Sequence, residues 1–228
     1  MFYFSFYRLT YHRGWSAILP YKQKFLQGWL MTVLISLLSL VISTVFGLFF
    51  ALARRSTFLP LQYFSKIYVE VIRGTPLLVQ ILIFFYVVAE AFSISNRFIV
   101  GVLTLSVFSA AYIGEVIRGG IESVGESQLE SARAIGLTRF QTYRFVIFPQ
   151  AIRQILPSLA GQFASLIKDS SLLSIIGINE FTLSAQQVNT YTYSTLESYI
   201  PLAIGYLILT LPISLWTQSL ERKHKFET

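Results

Sequence analysis

The sequence has 228 residues, of which 54% are hydrophobic and 13% are charged, and its formal net charge is +7. A soluble domain carries about a quarter charged residues, so this composition excludes an ordinary water-soluble protein and favours a chain that spans a membrane. The absence of cysteine excludes disulfides and thiolate metal sites, and the two histidines, His12 and His224, stand too far apart in sequence to predict a histidine metal site.

Residues 1–27 are predicted to form an interfacial segment. Basic side chains there alternate with aromatic ones, a mixture suited to a helix that lies in the membrane surface. A loosely ordered tail is the alternative, and the order of residues expected of a signal peptide is missing. Residues 28–53 then hold no charge and end at Arg54 and Arg55, which predicts a first membrane span.

Two further apolar segments follow, at residues 63–92 and 98–117. The first contains the step Gly74-Thr75-Pro76, which should kink or restart its helix. The second carries small residues at intervals, including Ser106, Ala110 and Gly114, which allow other helices to approach closely. We therefore expect the segment at 98–117 to be buried among other helices.

The second half of the chain begins with a polar, basic stretch at residues 118–154, the only sizeable element predicted outside the membrane. A fourth span is predicted at 155–178, a polar loop at 179–198, a fifth span at 199–220 and a charged tail at 221–228. Eleven lysines and arginines lie on the side of the basic stretch and the tail, against five on the other. This bias predicts a cytoplasmic carboxy terminus.

One spacing in the basic stretch carries most of the functional information. Glu130-Ser131-Ala132 is followed after three residues by Gly136, and after nine more by Val146, Phe148 and Pro149. This pattern resembles the EAA loop of the permeases of ATP-binding-cassette (ABC) importers. In that family the loop docks on the ATP-binding subunit, so the resemblance implies a coupling role for Glu130, Ala132, Gly136, Arg139 and Pro149.

Local sequence is consistent with that role. Residues 127–135 predict a short amphipathic helix, Gly136 permits a sharp turn, and Thr138 can cap a second helix over 139–147. Two short helices at an angle would form a protruding knob. The alternative is an ordinary basic loop that lies against anionic lipid.

Three other segments extend the resemblance to most of the chain from about residue 27. Residues 70–80, which include Arg73-Gly74-Thr75-Pro76, residues 111–120, and the motif at 168–172, Lys-Asp-Ser-Ser-Leu, are similar to polar amino-acid permeases of the histidine/glutamine/arginine type. A P-loop requires a Gly-Lys pair, and the sequence contains none. We therefore expect no enzymatic activity and no cofactor in this chain, with ATP and Mg²⁺ bound by a partner ATPase.

Five residues are candidates for a substrate pathway, because ionisable groups within spans are costly. Arg73 and Glu115 could instead pair across helices. On a helix, Gln162, Ser165 and Asp169 would share one face. By resemblance to relatives with a Glu at the position of Gln162, Asp169 would meet a substrate ammonium group, which predicts a neutral polar amino acid rather than a basic one; Gln162 as a mere packing amide is the alternative.

The resemblance implies an all-α membrane protein with the five-helix type I ABC importer fold. Its parts would be residues 1–27, a permease domain at 28–220 with a coupling loop at about 122–149, and a tail at 221–228. The implied partners are ABC ATPase subunits, a second copy or similar permease, and an extracytoplasmic solute-binding protein in a prokaryotic cytoplasmic membrane, with no nucleic acid. Rival interpretations are an ion-driven secondary transporter, disfavoured by the lack of an inverted repeat, and an assembly protein, which leaves the EAA-like spacing unexplained.

Overall fold

The computed structural model describes residues 14–225, apart from the side chains of residues 126 and 223–225. This part of the chain is helical throughout and contains no β-strand. A short helix α1 (Trp15–Ile18) and a 3-10 turn (Leu19–Tyr21) lead into the longest helix, α2 (Lys22–Arg54). Part of the expected interfacial segment, residues 1–13, lies outside the described residues, and from Lys22 onward that segment already belongs to the first span helix.

The second apolar segment is broken where the sequence predicted. Helix α3 (Leu59–Gly74) ends before the extended residues Thr75 and Pro76, and α4 (Leu77–Ile83) starts in a new direction. The chain then continues through a π-helix (Phe84–Val88) and α5 (Ala89–Ala91), and the two halves are bent by 109°. The side-chain amide of Gln80 donates hydrogen bonds to the carbonyl groups of Ile72 and Thr75, at 2.8 and 3.2 Å, so the break leaves these acceptors satisfied.

The remaining elements run in chain order as follows: α6 (Arg97–Glu122), α7 (Glu126–Ala134), α8 (Arg139–Thr142), a π-helix (Tyr143–Ile147), α9 (Phe148–Asp169), a 3-10 helix (Ser170–Ile176), α10 (Phe181–Thr192) and α11 (Thr195–Lys225). The predicted third and fifth spans correspond to α6 and α11. The predicted charged tail is helical as far as Lys225, as a continuation of α11.

The prediction of a polar loop at 179–198 is wrong, because α10 occupies most of it. Buried Glu180 caps this helix by accepting hydrogen bonds from the backbone N–H groups of Thr182 and Leu183, at 2.8 and 2.7 Å, and from the Tyr206 hydroxyl at 3.1 Å. The Phe181 N–H donates to the hydroxyl of Thr32 at 3.1 Å. The helix is thus anchored on α2 and α11, which local sequence does not reveal.

Three helical stretches are long and apolar enough to cross a membrane, namely 15–54, 97–122 and 195–222, and the bent pair α3 and α4–α5 could add a fourth. The protein is therefore a multi-pass membrane protein. The span predicted at 155–178 does not meet the same criterion in residues 14–225. Its helix, α9, carries Arg153, Gln154, Ser158 and Gln162 among its apolar residues.

Helices α2 and α6 form the most extensive helix–helix contact in the described part of the chain. Small residues of α2, including Ser39, Ser43, Gly47 and Ala51, are buried. They face small buried residues of α6, such as Gly114. Leucine and valine side chains of α2 are exposed instead, so large apolar groups point outward as expected in lipid, and small groups allow close packing.

The contact between Gly47 and α6 yields the first prediction. A Cβ atom at Gly47 would lie 2.7 Å from Ile113 Cγ2 and 3.0 Å from the Gly114 nitrogen. We expect Gly47→Ala to lower the free energy of unfolding by about 1–3 kcal/mol, because α2 and α6 must separate. Thermal unfolding of the purified chain in detergent measures this.

Gly119→Ala is the matched control, because a Cβ atom at Gly119 of α6 would meet no atom within 4 Å. This variant should unfold at the wild-type temperature or slightly above it, since alanine favours a helix over glycine. Equal losses in both variants would contradict the packing explanation.

Candidate functional site

The EAA-like spacing lies on a helical hairpin, the α7–α8 hairpin (residues 126–147). Helix α7 ends in a left-handed turn at Gly136, whose φ is +80°. The N–H of Gly136 donates to the Arg133 carbonyl and the N–H of Leu137 donates to the Ala132 carbonyl, each at 3.0 Å. This pair of hydrogen bonds is the Schellman arrangement, which glycine adopts without a Cβ penalty. The turn expected at Gly136 is present.

Thr138 caps the second arm of the hairpin, as the sequence indicates. Its hydroxyl accepts a hydrogen bond from the Gln141 N–H at 3.3 Å, while the Gln141 side chain accepts one from the Thr138 N–H at 2.9 Å. This reciprocal capping box fixes the direction in which α8 leaves the turn.

The predicted end of the second short helix at residue 147 is wrong. Helix α8 passes through the π-helix directly into α9, and Phe148 keeps right-handed helical dihedral angles. Pro149 lies just after the π-helix, and a local π adjustment is one way in which a helix tolerates a residue without an N–H. The second arm is therefore a direct extension of a long helix, so a displacement of the hairpin is carried into α9.

The five residues to which the resemblance assigns a coupling role differ in exposure. Ala132 is buried, whereas the side chains of Glu130, Arg139 and Pro149 are exposed, and Gly136 is exposed at the turn. Sequence reasoning missed an apolar surface beside them, which we call the aromatic groove. It measures about 590 Å³ and is lined by Phe140, Tyr143, Arg144, Phe145, Phe148, Pro149 and Ile152.

A sequence signal for the aromatic groove exists. Phe140, Arg144, Phe148 and Ile152 recur at intervals of four residues, which places them along one face of a continuous helix. Phe140 and Phe145 are 73% and 62% exposed. Exposed aromatic side chains gathered on one surface mark a candidate site of contact with another molecule.

Charged residues of α2, α3 and α6 meet at Glu115. Its carboxylate pairs with Arg54 and, at 2.8 Å, with Arg118, which also pairs with Glu122. Arg73 is more distant, with its Nη1 atom 3.9 Å from the carboxylate and its guanidinium over the ring of Tyr112. Two short ion pairs at Glu115 were thus not foreseen from the sequence.

The alternative interpretation, in which Arg73 and Glu115 pair across helices, agrees with this geometry. Arg54 is the last residue of α2, so its partner Glu115 lies at the boundary of that span. Arg73 stands next to the break between α3 and α4. Each lies among arginines or aromatic rings, and the described contacts do not join either to Asp169.

Gln162, Ser165 and Asp169 lie on α9, which is regular from Phe148 to Asp169 and therefore brings them to one face. All three are partly exposed, and within residues 14–225 their side chains have no hydrogen-bond partner. Ser158 belongs to the same face, and a Cβ atom at neighbouring Gly161 would meet nothing within 4 Å. We call this face the polar stripe; it can hydrogen-bond to a molecule that lies against α9.

The Glu115 cluster supports a prediction about stability. In Glu115→Gln the two guanidinium groups of Arg54 and Arg118 lose their shared counter-charge while remaining largely buried. We expect the free energy of unfolding to fall by about 2 kcal/mol, measured by thermal unfolding in detergent. Glu70→Gln, at an exposed position of α3, should unfold as the wild type does, and equal unfolding temperatures for all three proteins would contradict the assignment.

Comparison with known proteins places these features in a family. Residues 43–225 match the family described as binding-protein-dependent transport system inner membrane component. The glutamine transport system permease protein GlnP of Escherichia coli strain K12 is 37% identical over 213 residues, covering 92% of this chain and 97% of that protein. The arginine transport system permease protein ArtQ of Bacillus subtilis strain 168 is 31% identical, with 92% and 96% covered.

A solved structure agrees with these relatives. The structure described as an amino acid ABC transporter with histidines superposes with a TM-score of 0.85 at 38% identity, covering 92% of this chain and 98% of that one. An inward-facing methionine ABC transporter, MetNI, has a TM-score of 0.71 at 16% identity, a likeness of fold alone. The fold is that of the type I ABC importer permeases, and the chain belongs to the family of binding-protein-dependent transport system inner membrane components.

Proposed function

We propose that this chain is the membrane-spanning permease of an ABC importer that moves a polar amino acid across a prokaryotic cytoplasmic membrane by alternating access. The observation that carries the proposal is the α7–α8 hairpin, in which the EAA-like spacing coincides with a Gly136 turn and an exposed aromatic groove. Relatives named for glutamine and arginine transport support an amino acid as the substrate class.

In this proposal the α7–α8 hairpin docks on a separate ATPase subunit. Exposed Phe140, Phe145 and Phe148 supply apolar contact area, and Glu130 and Arg139 supply exposed charges elsewhere on the hairpin. Closure of the ATPase subunits on ATP would move the hairpin. The helix is continuous from α8 into α9, so this motion reaches the polar stripe.

ATP and Mg²⁺ are assigned to the partner and not to this chain, which therefore has no ATPase activity of its own. The sequence lacks the Gly-Lys pair with which a P-loop binds phosphates. The work of transport would enter only through the α7–α8 hairpin. This division of labour explains why the hairpin presents an apolar surface to the outside.

The proposed topology has five crossings, with the hairpin and the carboxy terminus in the cytoplasm. The excess of lysine and arginine on that side supports the orientation. The fourth crossing is α9, whose polar stripe would be costly against lipid. A second copy of the chain or a similar permease would cover this face, so that one subunit supplies half of a pathway. An extracytoplasmic solute-binding protein would deliver the substrate.

Within the pathway we assign substrate contacts to Asp169, Gln162 and Ser165. A single carboxylate balances the ammonium group of an amino acid, and the uncharged amide of Gln162 suits a neutral polar side chain. A basic side chain would bring a second positive charge with no carboxylate to meet it. Arg73 and Glu115 remain candidates at the boundary of the spans, where their ion pairs favour a positioning role.

A substitution at Gly136 tests the docking proposal. Valine strongly disfavours a φ of +80°, so Gly136→Val should distort the turn and abolish co-purification of the ATPase subunit with the chain. Asparagine tolerates this region, and Gly136→Asn should retain association. Undiminished co-purification of a correctly folded Gly136→Val protein would refute the docking proposal.

Competition for uptake tests the substrate assignment. In vesicles containing the assembled importer, excess glutamine should inhibit uptake more strongly than excess arginine. Gln162→Glu adds a carboxylate beside Asp169 and should shift the preference towards arginine by about tenfold or more, because a charge pair at short range contributes about 1–4 kcal/mol. Gln186→Glu, at an exposed position of α10, is the control and should leave the preference unchanged. Stronger inhibition by arginine in the wild type would overturn the assignment.

A further inference from the structure

A second cavity, of about 700 Å³, separates the α7–α8 hairpin from the ends of the span helices; we call it the basic cavity. Three arginines line it, Arg55, Arg133 and Arg139. They come from different elements, the residue after α2, the last turn of α7 and the start of α8. Cationic groups from three elements of the fold therefore surround one space.

The positive charge of this cavity is uncompensated among the described side chains. Glu122 is the single acidic residue in the described lining, and its carboxylate already pairs with Arg118. Arg55, Arg133 and Arg139 form no ion pair with any side chain that the structure describes. Guanidinium groups in this state favour a phosphate, which they can bind through paired hydrogen bonds.

The rest of the lining is amphipathic. Ile121, Val124, Leu129 and Ile147 contribute an apolar wall, and Thr142 and Tyr143 add hydroxyl groups. A small inorganic anion would leave this wall exposed to water. A phosphate attached to a glycerol backbone and acyl chains would use both parts of the cavity.

The basic cavity lies where the apolar helices α2 and α6 end. Arg55 directly follows the apolar helix α2, and Ile121 and Glu122 are the last residues of α6. The α7–α8 hairpin faces this boundary with Arg139 and Ile147. By helical spacing, Arg139 and Ile147 lie off the row Phe140, Arg144 and Phe148. The aromatic groove and the basic cavity are therefore adjoining surfaces of one hairpin, and both are lined by Tyr143.

We propose that the basic cavity binds a phosphate group, that of an anionic phospholipid in the leaflet next to the α7–α8 hairpin. The placement in the cytoplasmic leaflet rests on the proposed function, whereas the binding itself does not require the ATPase. A lipid seated here would bridge Arg55 at the end of α2 to the hairpin. The resting position of the hairpin would then depend on lipid composition.

The test uses the full chain, purified and delipidated in detergent, and measures bound lipid by native mass spectrometry. Phosphatidylglycerol should bind more tightly than phosphatidylcholine with the same acyl chains. Arg55→Gln and Arg133→Gln should each weaken phosphatidylglycerol binding about fivefold, as expected for one basic residue near an anionic lipid. The matched control is Arg144→Gln, which removes the same charge from the aromatic groove and should change the affinity less than twofold.

Three outcomes would overturn the proposal. Equal losses in all three variants would mean non-specific attraction by net charge. Binding of glycerol phosphate as tight as that of the lipid would assign the cavity to a soluble phosphate compound. Release of the lipid when ATPase subunits are added, with weaker ATPase association in Arg55→Gln, would assign the cavity to that interface. Because the lipid is measured on the chain without ATPase subunits, lipid binding by a chain that fails to co-purify with the ATPase separates this inference from the docking proposal.

Discussion

Close approach of α2 and α6 is the contact on which the other features depend. Gly47 and Gly114 bring the two backbones together, since a Cβ atom at Gly114 would stand 3.2 Å from the Gly47 carbonyl oxygen. In lipid, apolar side chains gain little by facing one another, so packing of small groups takes the place of the hydrophobic effect. This contact sets Arg54 beside Glu115 and aligns the ends of the two spans. The boundary between lipid-embedded helices and the α7–α8 hairpin is thereby fixed.

The α7–α8 hairpin joins two surfaces with different chemistry. Its aromatic groove is apolar and exposed, suited to a protein partner, while its basic cavity faces the ends of α2 and α6. The Gly136 turn holds the first arm, and the second arm enters α9 without interruption. A displacement of the hairpin therefore reaches α9, the helix that carries Asp169. A ligand in the basic cavity would act on the same hairpin and thus on the same helix.

Buried polar groups show how the fold satisfies its backbone where helices break or begin. Gln80 donates hydrogen bonds to the carbonyl groups at the bend between α3 and α4. Glu180 accepts hydrogen bonds from the N–H groups at the start of α10. Both side chains are buried, and each meets backbone groups that a helix break or a helix start leaves without a partner. Such residues resemble loop residues in the sequence, and only their partners identify them as structural.

The sequence by itself determined the apolar runs of α2, α6 and α11, the break at Gly74-Thr75-Pro76, the turn at Gly136 and the cap at Thr138. These features depend on local hydrophobicity and on the backbone preferences of neighbouring residues. Only the tertiary structure decided that residues 181–192 form a helix, that Glu115 pairs with Arg54 and Arg118, and that α8 continues into α9. The first two depend on contacts between residues that are distant in sequence. The third depends on the π-helix at Tyr143–Ile147, which local sequence patterns do not specify.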